Sequence, residues 1–400
     1  MCISHRCGGR RSMRACHVVY GYFPFDPRVR REVEALVRRG HEIHVIAAQD
    51  HGEASEESAP GVRVHRVPWP VVRGGRTRYV VQYLIFFLVA SLQLLRLHRA
   101  HRFDVIHIHS LPDFQVLGAL PERAMGARIV LDLHEALPET VAARFGRGLL
   151  VGVARALETT SCMVAHQVLV VNDAIRTLLI GRGVEASKVI VVMNSPNLQS
   201  PLANRGKQLE QYPPFKDGRP IVYVGGLNKE RDLELLVRAT ARLRDSHQAR
   251  LAVYGYGDAA YKERLRQVAR EEQLGNAFFL GPALKQEDVL AYVGLSEVGP
   301  ITYERNELTE LAIPNKVFEY AAARKPLVIA DLKCLRALFG DAALYYRPGQ
   351  SQDLANQIAK LFDDPDLGRD LVEKASGILQ TCRWEIMERR LVAAYEGGET

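Results

Sequence analysis

The stretch GPITYERNELTELAIPNKVFEYAAARKP, residues 299–326, decides the fold that we predict for the second half of the chain. It starts as the end of a buried strand, continues as a polar loop, and becomes a helix that leads into another strand. Pro314 suits the first position of that helix, because its missing N–H costs nothing there, and Pro326 ends it. The stretch therefore predicts one repeat of an alternating α/β domain.

Lys316 and Glu319 are the polar pair that this helix would present near its N-terminus. Because they are three residues apart, they share one face, one turn from the positively polarised helix end. A cation beside a carboxylate at this place could hold an anion with hydroxyls next to it, as in a nucleotide sugar. A solvated ion pair is the alternative interpretation.

Length and composition are those of a soluble protein with two domains. The chain has 400 residues, of which 47% are hydrophobic and 25% charged. It has no low-complexity tract and no internal repeat. We place a candidate disordered extension at 1–12, a first domain at 13–200, a linker at 201–220, a second domain at 221–375 and a C-terminal helix at 376–400.

Cysteine usage and the N-terminus both favour the cytoplasm. The six cysteines are scattered, so we expect reduced thiols. Residues 1–12 lack the apolar core of a signal peptide, and Met13 offers an alternative start. We predict a cytoplasmic protein that can lie at the inner face of the plasma membrane.

Basic charge is concentrated in the first half. Residues 1–200 carry a net charge of +8, and 24 of their 25 basic residues are arginine. Arginine suits phosphates, so nucleic acid, anionic lipid and a phosphorylated acceptor are all candidate partners. No nucleic-acid-binding motif accompanies the charge, and we expect no nucleic-acid partner.

The first half begins with a strand–helix–strand unit. A buried strand at 16–20 is followed by a loop, a helix from Pro27 and a strand at 42–47, with Asp26 as the helix N-cap. This unit predicts a parallel sheet.

Residues 79–97, YVVQYLIFFLVASLQLLRL, are a longer apolar helix with arginines at both ends. Three interpretations stay open: a packed core helix, a helix lying in a membrane interface, and a membrane span.

Histidines mark two later strands of the first half. His107 and His109 lie on one face of a strand at 103–110 and could bind a metal, but no third ligand is evident nearby. We favour packing and hydrogen bonding for them and expect no metal. His134 follows a strand at 128–133, at the carboxyl end where open parallel sheets bind ligands.

Two glycine turns follow strands in the second half. Gly225 and Gly226 would let the backbone approach a phosphate. Gly255 and Gly257 lack the third glycine of a dinucleotide fingerprint, so we expect no nicotinamide cofactor.

Several of these segments, in this order, resemble family 4 retaining glycosyltransferases. The similar runs are DPRVRRE, LDLHEALPE, the turn at Gly225, Gly281-Pro282 and PNKVFEYAAARKP. The resemblance implies the GT-B architecture, two facing Rossmann-like domains with a cleft between them. It also implies metal-independent, retaining transfer of a hexose-type sugar, with no cofactor, from a UDP- or GDP-linked donor. The acceptor of the sugar would be a glycan or a lipid-linked molecule in cell-envelope or exopolysaccharide synthesis. The enzyme would make peripheral contact with an anionic membrane.

The resemblance also assigns roles. Arg231 and Lys316 would neutralise the leaving diphosphate, Glu319 would hold the ribose, and His134 would contact the sugar; these four form the catalytic set. The other donor-binding positions would be Gly225, Gly226, Gly255, Gly257 and Pro282. Asp26 and Arg28 would lie on the acceptor side.

The chain departs from the family at three positions. The first glutamate of the family's Glu–seven residues–Glu motif falls at Leu311, a glycine is expected at Arg324, and a second diphosphate cation at Gly226. A nucleotide-sugar epimerase and a catalytically dead, membrane-bound scaffold therefore stay open as alternatives.

Overall fold

The computed structural model describes residues 12–50, 53–69, 76–195, 217–285 and 287–397, with side chains from residue 81 in the third range. The chain divides into two compact units, Met1–Met193 with Met387–Thr400, and Asn194–Ile386. Both units alternate strands and helices, which confirms the predicted α/β class. The extension predicted at 1–12 and most of the linker predicted at 201–220 lie outside the described residues.

The first unit is built on one eight-stranded sheet with the order β3-β4-β2-β1-β5-β6-β7-β8. All its pairings are parallel except that of β3 with β4. The strands are β1 Arg14–Val19, β2 Glu42–Ala48, β3 Glu56–Ala59, β4 Val62–Val67, β5 Val105–His109, β6 Arg128–Leu133, β7 Gln167–Val170 and β8 Val189–Val191. The helices are α1 Pro27–Arg38, α2 Arg76–His101, α3 Leu120–Ala124, α4 Leu137–Phe145, α5 Leu149–Val164 and α6 Asp173–Gly181, with 3₁₀ turns at Asp113–Ala119 and Ala186–Lys188.

The predicted strand–helix–strand unit at the start of the chain is confirmed. The Asp26 side chain accepts hydrogen bonds from the backbone N–H groups of Arg28 and Val29, so it caps α1. Strands β1 and β2 pair in parallel, and β1 also pairs with β5. In this register His17 lies directly opposite His107, which places both rings on one face of the central sheet.

Helix α2 contains the apolar run predicted at 79–97. Phe86, Ala90 and Leu94 are buried, whereas Leu88 is 59% and Leu92 70% exposed. One side of α2 therefore packs on the sheet and another faces outward. Within the described residues, Val81–His101 is the one helix long and apolar enough to cross a bilayer, a property that core helices of soluble proteins share.

The second unit contains two three-stranded parallel sheets, with the orders β11-β10-β9 and β12-β13-β14. Its strands are β9 Arg219–Val224, β10 Ala249–Tyr254, β11 Phe278–Gly281, β12 Gly299–Ile301, β13 Leu327–Ala330 and β14 Leu344–Tyr346. Its helices are α7 Leu233–His247, α8 Ala259–Glu271, α9 Val289–Val293, α10 Asn315–Ala322, α11 Lys333–Phe339, α12 Ser351–Asp363 and α13 Pro365–Thr381. Further 3₁₀ turns lie at Lys229–Arg231, Gly275–Ala277 and Thr309–Leu311.

Ser296 lies where the two sheets meet. Its Oγ accepts a hydrogen bond of 2.8 Å from the backbone N–H of Val222 in β9 and donates one of 2.6 Å to the carbonyl of Val298. A side chain thus occupies the place of a backbone partner. The sheet is split there, although the strands keep the parallel order of a Rossmann-like domain.

The last helix, α14 Trp384–Glu396, packs on the first unit. Glu388 forms ion pairs of 3.0 Å with Arg38 and 3.1 Å with Arg39. Tyr395 is buried and hydrogen-bonded to His17 and His107. The described chain thus returns to the first unit from Met387 onward, whereas the predicted boundary lies at residue 376.

Candidate functional site

Lys316 lies over the glycine turn of the second unit. Pro314 is the N-cap of α10, one position earlier than predicted, and Lys316 follows in the first turn. Its Nζ lies 5.0 Å from the centre of the Tyr223 ring. A Cβ built on Gly225 would be only 2.6 Å from Lys316 Cε, so the lysine side chain occupies the space that this glycine leaves open.

Burial controls the charges of Lys316 and Glu319. Burial lowers the pKa of Lys316 to about 8, with Glu319 opposing and Arg231 adding to the shift. Burial raises the pKa of Glu319, and the Lys316 charge partly offsets this. No salt bridge joins these two described side chains, so the alternative of a solvated ion pair is wrong.

Arg231 supplies a second cation with free donors. Its guanidinium lies 4.6 Å from the centre of the Tyr303 ring, and its carbonyl accepts a hydrogen bond of 2.7 Å from Thr302 Oγ1. Its Nε and Nη1 are buried and have no hydrogen-bond partner among the described residues. Buried donors left without partners are costly, and an anion that accepted from them would remove that cost.

The two glycine turns pack backbone against backbone. The N–H of Gly225 donates to the carbonyl of Tyr254 at 2.8 Å, and Leu227 forms a parallel bridge with Gly257. A Cβ on Gly255 would collide with the Gly225 carbonyl, and one on Gly257 would lie 2.7 Å from Leu227 Cβ. These contacts require glycine at 255 and 257 for packing, and their donor-binding role stays a prediction.

Gly226 and Pro282 are the remaining donor-side positions. A Cβ on Gly226 would find its nearest neighbour, the Tyr256 hydroxyl, at 3.7 Å, so the turn has room on this side. Pro282 is exposed directly after β11. The structure thus brings Gly225, Arg231, Lys316 and Glu319 together, while no contact to Pro282 ties it to them.

Two departures from the family pattern have local explanations. Glu310, next to Leu311, accepts a hydrogen bond from the Lys333 N–H at 2.7 Å and pairs with Arg305 at 3.1 Å, so its carboxylate is already occupied. Arg324 has φ of +55° after the end of α10, the left-handed conformation that glycine adopts without strain.

His134 lies at the carboxyl end of β6 in the first unit, as predicted. Its backbone N–H donates to Ser110 Oγ at 3.0 Å, and its Nε2 is 3.0 Å from Asp132 Oδ2. Its side chain is 21% exposed, whereas Asp132 is fully buried. The exposed part of the ring can therefore contact a ligand while its Nε2 is hydrogen-bonded to the buried Asp132.

Arg28 is buried and committed to other groups of the first unit. Its Nε and Nη2 donate to both oxygens of Asp132 at 2.7 and 2.6 Å, and its Nη1 donates to the Val192 carbonyl at 2.7 Å. Although burial alone would raise the pKa of Asp132, Arg28 brings it well below the usual range. Acceptor-side roles for Asp26 and Arg28 stay predictions; here Asp26 caps α1 and Arg28 anchors Asp132.

His107 and His109 belong to a larger buried cluster. The expectation that no third metal-binding group lies nearby is wrong, because His17 and Glu32 converge on these two histidines. His109, Asp132 and His134 form an overlapping group. Sequence reasoning missed His17, Glu32 and Asp132; alternation along β1 and β5 would have placed His17 on the face of His107.

Two family descriptions match the chain in sequence. Residues 26–195 match the glycosyl transferase 4-like domain, and residues 218–364 match the glycosyl transferases group 1. Together these two matches span most of the chain. The first match ends at residue 195, close to the boundary between the two units, and the second begins at residue 218.

Curated relatives are glycosyltransferases of different specificity. The alpha-D-kanosaminyltransferase of Streptomyces kanamyceticus is 28% identical over 180 residues, 44% of each chain, so this match spans less than half of that enzyme. The D-inositol 3-phosphate glycosyltransferase of Kineococcus radiotolerans is 25% identical over 328 residues, 77% of this chain and 73% of the relative.

Solved structures share the whole architecture. Sucrose-phosphate synthase from Thermosynechococcus elongatus matches with a TM-score of 0.79 at 18% identity, over 96% of this chain and 98% of that one. Anabaena HepE, solved in complex with UDP, matches with a TM-score of 0.72 at 15% identity, over 96% and 100%. The chain belongs to the family 4 glycosyltransferases and has the GT-B fold.

Proposed function

We propose that the protein transfers a sugar from a nucleotide diphosphate sugar to a glycan or lipid-linked acceptor, with retention of configuration and without a metal ion. One observation carries the donor assignment: two cations, Lys316 and Arg231, lie beside a glycine turn, and Arg231 has free buried donors. Anabaena HepE, which has the same fold, is a UDP complex. UDP- and GDP-linked sugars are the donors to test first.

Each donor-side group has a distinct task in this proposal. Lys316 and Arg231 neutralise the diphosphate as the sugar leaves, which positioned cations can do without a metal. Glu319 accepts hydrogen bonds from the ribose hydroxyls. His134 contacts the sugar, and the departing phosphate oxygen takes the acceptor's proton on the face from which it leaves.

An exposed apolar surface of the first unit supports a membrane-bound acceptor. Besides the outer side of α2, Leu149 at the start of α5 is 87% exposed, and Leu150, Val153 and Met163 are exposed on the same helix. The 3₁₀ turn Asp113–Ala119 packs against both α2 and α5. We call the exposed residues of these two helices the α2/α5 surface; a surface of this kind on a soluble enzyme suits a bilayer.

Basic residues next to the α2/α5 surface would select anionic lipid. Arg96, Arg99 and Arg102 at the end of α2 are exposed, as are Arg144 and Arg155 near and on α5. Cations near a lipid surface attract acidic headgroups. We therefore place the enzyme at the cytoplasmic face of the plasma membrane, acting in cell-envelope or exopolysaccharide synthesis.

The test is a transfer assay with a panel of nucleotide sugars and a lipid extract as acceptor source. We expect label from one UDP- or GDP-sugar to enter the lipid or glycan fraction, with the anomeric configuration of the donor. Conversion of the donor sugar without any acceptor would replace the proposal by the epimerase alternative. Donor binding without any turnover would replace it by the inactive scaffold.

A further inference from the structure

A chain of buried hydrogen bonds runs through the first unit to His134. His107 Nδ1 is 2.8 Å from the Tyr395 hydroxyl, which is 2.9 Å from His17 Nε2. His17 Nδ1 is 2.9 Å from His109 Nε2, and His109 Nδ1 is 3.1 Å from Asp132 Oδ2. The same Asp132 oxygen is 3.0 Å from His134 Nε2. The last helix, α14, is thus connected to the candidate sugar-contacting histidine.

The direction of this chain follows from the ion pair at its end. Arg28 is always protonated and donates to both Asp132 oxygens, so Asp132 is an ionised carboxylate that can only accept. His109 Nδ1 and His134 Nε2 must therefore both carry hydrogens, since a lone pair there would face another lone pair. The 3.4 Å approach of these two nitrogens is then a contact between two donors, and both hydrogens point to Asp132 Oδ2.

Every later link is then determined. Burial lowers the pKa of His109, so its ring is neutral, and with hydrogen on Nδ1 its Nε2 must accept from His17 Nδ1. His17 is neutral for the same reason, so its Nε2 accepts from the Tyr395 hydroxyl. Tyr395 in turn accepts from His107 Nδ1. One assignment of hydrogens satisfies all these contacts.

From this geometry we infer that Asp132, anchored by Arg28, holds His134 with hydrogen on Nε2, so that the neutral form of the ring has its lone pair on Nδ1. In that form His134 is a hydrogen-bond acceptor at Nδ1, and the group that it recognises is a donor, such as a sugar hydroxyl. Arg28, Asp132 and His109 act through His134 and are positioning residues. The identification of the sugar as ligand rests on the proposed function; the position of the hydrogen does not.

A metal ion is the competing explanation, because three histidines and Glu32 converge here. Two nitrogens bound to one tetrahedral zinc at about 2.0–2.1 Å would lie roughly 3.3 Å apart, whereas His17 Nδ1 and His109 Nε2 are 2.9 Å apart. If the metal were bound by His17 Nδ1 and also by His107 Nε2, the hydrogens of these two rings would lie on His17 Nε2 and His107 Nδ1. Both would donate to the Tyr395 hydroxyl, whose own hydrogen would lose its acceptor. These contacts favour hydrogen bonds in the group of His17, Glu32, His107 and His109. In the overlapping group the nitrogens of His109 and His134 are 3.4 Å apart, which would suit zinc, but the Arg28 guanidinium donates to both Asp132 oxygens and would repel a metal cation.

The direct test is nuclear magnetic resonance of ¹⁵N-histidine protein without substrates, using His134→Gln to assign the signal. Ring nitrogens with and without hydrogen have different shifts. We expect protonated Nε2 and unprotonated Nδ1 for His134 in spectra recorded well above the ordinary pKa range of histidine, where an imidazole is neutral. Hydrogen on Nδ1, alone or on both nitrogens, would overturn the inference. Stoichiometric zinc in protein purified without chelators would also overturn it.

Two variants identify the source of the orientation. In Asp132→Asn, a neutral amide oxygen or NH₂ group takes the Oδ2 position, which faces Arg28 Nε, His109 Nδ1 and His134 Nε2 together. Either arrangement removes the carboxylate that fixes the His134 hydrogen, so we expect hydrogen on His134 Nδ1 in part of the molecules. Tyr395→Phe removes a hydroxyl of the same chain but leaves Asp132 ionised, so His134 should keep hydrogen on Nε2. Tyr20→Phe, which loses the 2.8 Å bond to Gln82 in the same unit, controls for stability. An unchanged His134 signal in folded Asp132→Asn would contradict the role of Asp132. If this variant does not fold, the spectra of the wild type and of Tyr395→Phe still show which His134 nitrogen carries the hydrogen.

Activity separates this inference from the proposed function. We expect Asp132→Asn to lower the turnover number about 10²-fold through misplacement of His134, while the affinity for free nucleoside diphosphate is unchanged. Weaker nucleoside diphosphate binding in a folded variant would show a general structural defect and count against positioning. If the wild type transfers no sugar at all, the proposed function fails, while the ¹⁵N spectrum still tests the His134 assignment.

Discussion

The side chain of Lys316 lies directly over Gly225, whose missing Cβ would be 2.6 Å from Lys316 Cε. This contact joins the first turn of α10 to the turn after β9. Gly225 also has φ of +144°, which side-chain-bearing residues rarely adopt. The glycine therefore serves both the backbone turn and the position of the cation.

Gly225→Ala should displace Lys316 and weaken donor binding. A charge-assisted hydrogen bond contributes about 1.5–3 kcal/mol, so we expect affinity to fall about tenfold or more. Titration calorimetry with the donor measures this. Gly377→Ala, in α13 with nothing within 4 Å of the added methyl, is the matched control and should bind normally. Equal affinities in the two folded variants would remove Lys316 from the donor site.

Donor affinity should depend on pH through Lys316. Its pKa of about 8 means that the ammonium loses its proton as pH rises past 8. A diphosphate favours the charged form, so binding is tightest below this pH and weakens above it, approaching about tenfold per pH unit well above the pKa. Dissociation constants measured from pH 7 to 10 test the sign. Lys316→Arg should flatten the profile, because arginine stays charged; a flat wild-type profile would contradict the assignment.

Arg324→Gly should stabilise the second unit. Arg324 adopts φ of +55° and makes only an exposed ion pair with Glu373. Relief of the left-handed strain, reduced by the entropy cost of glycine, should raise stability by about 0.5–1 kcal/mol, or roughly 2 °C in Tm. Thermal unfolding compares this variant with Arg324→Ala, which loses the ion pair but keeps the strain. If Arg324→Ala raised the melting temperature as much as Arg324→Gly, relief of backbone strain would not be the cause.

The α2/α5 surface should bind anionic vesicles. Each nearby basic residue contributes about 1 kcal/mol, and salt should weaken the binding. Vesicle flotation at low salt should carry the wild type upward with phosphatidylglycerol-containing vesicles but less with neutral ones. Leu88→Asp with Leu92→Asp should reduce flotation, and Gln267→Asp on α8 should not. Protein that remains at the bottom with anionic vesicles would mean that α2 is only a core helix and would favour a soluble acceptor.

Local sequence signals predicted the elements but not the polar network. Asp26 lies two and three residues from the N–H groups that it caps, so its role could be inferred from a short window. The partners His17 and Tyr395 are 378 residues apart, and no local pattern connects them. Arg28 shows the same limit: in the motif it looked accessible, but its guanidinium is buried against Asp132.

Spacing along α10 gave the candidate donor site only in part. It placed Lys316 and Glu319 on one face, but these two residues alone favoured an exposed ion pair over a binding site. In the structure the Lys316 ammonium lies over the Tyr223 ring, is buried and has Arg231 as a neighbouring cation. These contacts argue against an exposed ion pair. Likewise, the glycines at 255 and 257 looked like ligand contacts, although the packing of two turns explains both.

The central claim, that α10 holds a nucleotide sugar, is tested most directly by Glu319→Ala. The dissociation constant of the donor selected by the panel is measured by calorimetry for wild type, Glu319→Ala and the exposed control Glu263→Ala. A ribose hydrogen bond to a charged group contributes about 1.5–3 kcal/mol, so we expect Glu319→Ala to bind about tenfold or more weakly, and the control to match wild type. Equal affinity of folded Glu319→Ala and wild type would contradict the claim.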